Sequence, residues 1–132
     1  MNGITGKLKP EKLWYYFEQI SAIPRPSGRE HKVIDYLVRF AEQRGLKYQK
    51  DQKGNVVIVK PPSPGYETRP AVVLQAHVDM VCEKNASVSH NCDTDPIQLK
   101  ISDDWITADG TSLGADNGLG AAAMLCLLQD DA

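Results

Sequence analysis

With 132 residues and a net charge of −2, the chain has the size of one ordinary domain and no electrostatic reason to take nucleic acid or an anionic membrane as a partner. Its 42% hydrophobic and 24% charged residues match average globular chains, which excludes a disordered or collagen-like polymer. The opening MNGITGKLKPEKLW lacks the apolar core of a secretory signal, and no later segment approaches the roughly 20 apolar residues of a membrane span, so a cytoplasmic protein is expected.

Pro10 suits a first helical position, and Leu13, Phe17 and Ile20 follow at helical spacing, which predicts a helix from Pro10 to Ser21. IPRPSG breaks it, because two prolines so close together remove donors and clash. Ser27 and Glu30 have the S-x-x-E spacing of a capping box. Val33, Leu37, Phe40 and Ala41 then give the stripe of a second helix that Gly45 can close. LKYQKDQKGNVVIVK reads as a hairpin turning near Lys53 and Gly54, with Val56 to Val59 as its β-branched arm.

Ala71 to Ala76 is nearly all apolar and is predicted as a central strand covered on both faces. IQLKIS and WITAD alternate around Asp103 and Asp104 as a second hairpin, and Asp109-Gly110 supplies a further turn. NGLGAAAMLCLLQ is apolar nearly all round and predicts a buried helix. The order implies an α/β domain, a mixed sheet flanked by helices. So hydrophobic a last helix, followed only by DDA, suggests the front part of a longer protein.

In an open α/β sheet, sites form beyond the carboxyl ends of the strands. His77 and Asp79, in VVLQAHVDMV, stand there. A neutral imidazole can bind a divalent metal through one nitrogen, and its other nitrogen then needs an acceptor, which Asp79 can be from two residues on. The plainer reading is a strand-end histidine satisfied by its neighbour. Asp116 lies in the glycine-rich DGTSLGADNGLG ahead of the last helix. There glycine permits close approach of backbone to an ion or substrate, and the helix N-terminus favours an ionised carboxylate. A simple helix cap is the competing explanation.

Other clusters are weaker. Neither the G-x-G-x-x-G fingerprint nor the P-loop ending is present, and no serine sits in a G-x-S-x-G elbow. The three cysteines, Cys82, Cys92 and Cys126, are odd in number and lack C-x-x-C spacing, which predicts free thiols, with one bridge and one free thiol as the alternative. Cys82, His90 and Cys92 offer soft zinc donors but no fourth partner. Asp93 and Asp95 begin like a calcium loop that Pro96 contradicts, and His31 reads as a surface residue.

AHVDMVCEKN, from Ala76 to Asn85, followed by DGTSLGADNGLGAAAML, from Asp109 to Leu125, resembles the aminoacyl-histidine dipeptidases, also called cytosolic non-specific dipeptidase or peptidase D. These are dinuclear zinc metallopeptidases. LWYYFEQISAIPRPSGRE is similar to the family's N-terminus, so the likeness covers nearly the whole chain.

The resemblance implies the N-terminal portion, residues 1–132, of a zinc-exopeptidase-like catalytic domain. It also implies hydrolysis of dipeptides of the Xaa-His type with two divalent metals, zinc or alternatively cobalt or manganese. The histidine matching His77 would bind one metal, the aspartate matching Asp116 would bridge both, and the one matching Asp79 would orient the histidine. A cis peptide would follow the bridging aspartate, at Asp116-Asn117. The family's general base lies in a Glu-Glu pair further on, and Ala132 comes before that pair, the other metal ligands and the smaller lid or dimerisation domain. The full protein is therefore expected to be a homodimeric, cytoplasmic dipeptidase, and the 132-residue chain alone to be inert. The competing expectations are an aminoacylase or deacylase on the same metal scaffold and a non-catalytic α/β binding module.

Overall fold

The computed structural model describes residues 8–130, in which two helices are followed by four short strands and a third helix. Helix α1 (Glu11–Ser21) begins one residue after the predicted start, because Pro10 stays extended and caps it from outside. It buries Tyr16, Phe17 and Ile20. Helix α2 (His31–Gln43) buries Val33, Phe40 and Ala41. The expected capping box ahead of α2 does not form: the Glu30 carboxylate turns back to the Gly28 amide, and the Ser27 hydroxyl donates to Asp79 instead.

The first hairpin pairs β1 (Lys47–Lys50) with β2 (Val56–Val59) in antiparallel register, Lys47 opposite Val59 and Lys50 opposite Val56. Its turn is organised by Asp51, whose carboxylate accepts from the amides of Lys53 and Asn55 and from the Asn55 side chain, at 2.7–2.9 Å. The second hairpin pairs β3 (Leu99–Ser102) with β4 (Trp105–Ala108), turning at Asp103 and Asp104 as the sequence predicts. Helix α3 (Ala115–Gln129) packs along α1, and Ala121, Ala122 and Leu125 join Tyr16, Phe17, Ile20 and Phe40 in the core. No helix among the described residues is long and apolar enough to cross a membrane.

The α/β class is that of the sequence analysis, but one element differs. Ala71 to Ala76 forms no strand, and Val72 and Val73 are 83% and 89% exposed. An apolar run becomes a central strand only where a neighbour accepts its ladder bonds, and the two sheets among the described residues are closed two-stranded hairpins that do not reach it. The free thiols expected at Cys82 and Cys92 are corrected too. The intervening loop folds back on Gly110, bringing the two Cα atoms to 6.0 Å, and the sulfurs are joined as a disulfide while Cys126 stays free.

Hydrogen bonds to the ionised Asp51, from Asn55 first, hold its carboxyl below the ordinary aspartate value. A depressed carboxylate pKa contributes stability above the unfolded value and loses it as pH falls through the folded one. Protection of the Asn55 amide, relative to its intrinsic exchange rate, is therefore predicted to be full above the ordinary aspartate range and to be lost as pH falls below it, before the α1–α3 core opens. Asp51→Asn should remove that acid step.

Candidate metal and catalytic site

Three segments converge at one end of α3: residues 24–28 after α1, residues 76–85, and residues 110–116 leading into the helix. A parallel bridge joins Pro26 to Met80, where the Met80 amide donates to the Arg25 carbonyl (3.0 Å) and the Ser27 amide to the Met80 carbonyl (3.3 Å). The other two segments are laced together by Asn85 N to Gly110 O (2.8 Å), Ser112 N to Glu83 O (2.9 Å) and Glu83 N to Ser112 Oγ (3.0 Å). The buried Arg25 side chain, 1% exposed, connects all three. Its Nη1 donates to the Val78 carbonyl (2.9 Å) and, at 3.4 Å, to that of Asp79, while Nη2 donates to the Gly114 carbonyl (2.8 Å). Burial pulls the guanidinium down to about 10, with the Asp79 charge opposing, so it stays charged at neutral pH.

On this frame the predicted residues meet. His77 Nδ1 lies 3.1 Å from Asp79 Oδ1, and Nε2 lies 3.0 Å from Asp116 Oδ1. With a carboxylate at each ring nitrogen the imidazolium is favoured, and the His77 pKa is raised, by the Asp116 contact first and by Asp79 after it. Asp79 is held below the usual carboxylate range, chiefly because Ser27 donates to its second oxygen at 2.5 Å. Ser27 thus fixes Asp79, and Asp79 fixes the ring. Asp116 is not a simple helix cap: Gly114 occupies the cap position, Asp116 has extended backbone (φ −89°, ψ 107°), and its side chain is 95% exposed. The Asp116-Asn117 peptide is cis, as the resemblance implies.

The chemistry of these groups suits a metal. Nδ1 is committed to Asp79, which leaves Nε2 and a neighbouring carboxylate as an N,O donor pair open to solvent. Two donors do not complete a site for two ions, so further ligands must come from outside this set.

Sequence reasoning missed Arg25, which sits in IPRPSG and was read only as part of a helix break. It also gave the glycines a different purpose. A Cβ on Gly114 would fall 2.6 Å from Arg25 Nη2 and 2.6 Å from Met80 Sδ, and one on Gly118 would fall 2.7 Å from Arg25 Nη2. These glycines admit the chain's own guanidinium rather than a bound ion. The signal was an arginine between two prolines, where a solvated residue is the usual expectation.

The chain is 46% identical over 125 residues to the cytosol non-specific dipeptidase of Escherichia coli (strain K12), matching 95% of this chain and 26% of that protein. The crystal structure of aminoacylhistidine dipeptidase from Vibrio alginolyticus superimposes with a TM-score of 0.94 at 44% identity, covering 98% of this chain and 26% of the other. This chain is similar to two dipeptidases over nearly all its length. A tripeptidase from Staphylococcus aureus subsp. aureus Mu50 follows with a TM-score of 0.70, 26% identity, and coverage of 90% and 31%. The chain thus spans about a quarter of the dipeptidases it matches and about a third of the tripeptidase. No family model matches it.

Two predictions follow from the arginine frame. Arg25→Met leaves buried carbonyls without their donor and should lower unfolding stability by about 2–5 kcal/mol, read from the denaturant midpoint at constant m-value. Gly114→Ala, at φ +71° and against Arg25, should cost about 1–3 kcal/mol by the same measurement.

Proposed function

We propose that this chain contributes to the active site of a metal-dependent dipeptidase, and that dipeptide hydrolysis belongs to a longer protein of which residues 1–132 form the N-terminal portion of the catalytic domain. The observation carrying the reading is that His77 Nε2 and the Asp116 carboxylate, 39 residues apart in sequence, stand 3.0 Å apart beside an oriented Asp79. The names of the similar proteins, two dipeptidases and a tripeptidase, support the reaction class.

In this reading His77 would hold one metal and Asp116 would serve both, with zinc as the metal and cobalt or manganese as substitutes. When bound, such ions supply Lewis acidity to a scissile carbonyl and lower the pKa of a water. The chain's own residues set the ligand geometry. Asp79 keeps the proton on Nδ1 and so presents Nε2 as the donor, which must lose its own proton for that role. Ser27 holds Asp79 in place, and Arg25 holds the backbone beneath both. The general base and remaining ligands are supplied by other parts of the longer protein, which we read as a cytoplasmic homodimer cleaving Xaa-His and related dipeptides.

The test compares the full-length protein on an Xaa-His dipeptide and on an N-acyl amino acid, together with its zinc content. Chelator-sensitive cleavage of the dipeptide is expected. His77→Ala and Asp116→Asn should lose both zinc and activity, and Asp79→Asn should lower metal affinity or activity about 10–100-fold. Preference for the N-acyl compound would favour a deacylase, and unchanged zinc content in the His77 and Asp116 variants would overturn the reading. The 132-residue chain alone should show no metal-dependent turnover.

A further inference from the structure

Cys82, His90 and Cys92 share no residue with the site above, yet their donor atoms all lie within 4.8 Å of one another. They line a cleft bordered by Arg25, Met80 and Asp95. The cluster is half-buried rather than spread on a surface, and the backbone around it is fixed. Asn85 N bonds to Gly110 O and Val88 N to Asn85 O on the Cys82 side. On the Cys92 side, Asp95 N bonds to Asn91 O (2.9 Å) and Asn91 N to Asp95 Oδ2 (2.8 Å). The donors are therefore held together by the loop as well as by the disulfide.

We propose that the dithiol form of this cluster is a binding site for a thiophilic divalent cation of the zinc type, with Cys82 Sγ, Cys92 Sγ and a His90 ring nitrogen as ligands, and that the disulfide is its closed, metal-free form. Two thiolates and an imidazole are the donors such a cation prefers, and three protein ligands leave one coordination position for water. Zinc–sulfur bonds of about 2.3 Å at tetrahedral angles place two sulfurs about 3.8 Å apart, so the reduced pair need only separate by a small side-chain rotation. The Cα separation of 6.0 Å suits either state.

Both exchanges balance. Cation binding releases the two thiol protons, and His90 contributes a lone pair. Closure is thiol–disulfide exchange with a small-molecule disulfide. One thiolate attacks it and expels a thiol, then the other attacks the mixed disulfide and expels the second, so the protein pair loses two electrons and the co-reactant gains them. A cation on the thiolates blocks that attack, and the disulfide removes the ligands, so each state excludes the other.

The experiment titrates Co²⁺ into the chain bearing Cys126→Ser, His77→Ala and Asp116→Asn, so that neither the remaining thiol nor the other donor set takes part. Thiolate-to-cobalt charge-transfer absorption reports sulfur ligation specifically. The reduced chain should develop this band stoichiometrically and lose it when Zn²⁺ is added, and the oxidised chain should show none. His90→Ala should weaken binding by more than the roughly 10–100-fold that losing an outer hydrogen-bond partner costs a metal site. A reduced chain without the band overturns the proposal, as does a band of equal strength in Cys92→Ser. Because the band needs sulfur, its presence or absence is independent of whether His77 and Asp116 bind metal.

Discussion

The guanidinium of Arg25 is the contact on which the site depends. A buried cation is costly unless its donors find acceptors, and here Nη1 and Nη2 bond to main-chain carbonyls from two loops far apart in sequence, at Val78 and Gly114, while Nε has no partner among the described residues. That requirement fixes the distance between the loops. His77 and Asp79 flank one anchor and Asp116 follows the other, so their approach to 3.0 Å is a consequence of how the arginine is housed. The glycines at 114 and 118 belong to the same constraint, since a side chain at either would occupy the space the guanidinium needs.

Around this anchor the support is layered. Ser27 precedes α2 and also donates to Asp79, so a residue of the irregular IPRPSG segment helps orient the histidine through that aspartate. The packing of α1 against α3 sets the position of Gly114 relative to residues 24–28, because both segments emerge from the same helix pair. Core and site are thus coupled: a defect at Phe17 or Leu125 would be transmitted to the loops through the helix termini.

Much of this was legible in the sequence. Apolar spacing located α1 and α2, a run apolar nearly all round located α3, and turn residues located both hairpins, because each of these elements is specified by a local pattern. The sequence also singled out His77, Asp79 and Asp116, which the structure brings together, through their position after an apolar run and before a buried helix. Four features were not legible. The Ala71–Ala76 run has strand composition, but composition states what a segment can bury and not whether a ladder partner lies beside it. Ser27 and Glu30 have capping-box spacing, yet Asp79 competes for the serine, a contact 52 residues away that no local pattern contains. Arg25 was hidden for the same reason, since its partners are carbonyls, which carry no sequence signature. Cys82 and Cys92 lacked a spacing motif, and their meeting depends on a loop pinned to Gly110.

Hydrogen exchange in the wild-type chain and in Arg25→Met measures the role of the guanidinium directly. If it ties the two loops together, the amides of Met80 and Gly118, bonded to the Arg25 and Gly114 carbonyls, should lose protection together while amides within α2 keep theirs. Unchanged protection at either amide would show that the loops are held by something other than Arg25.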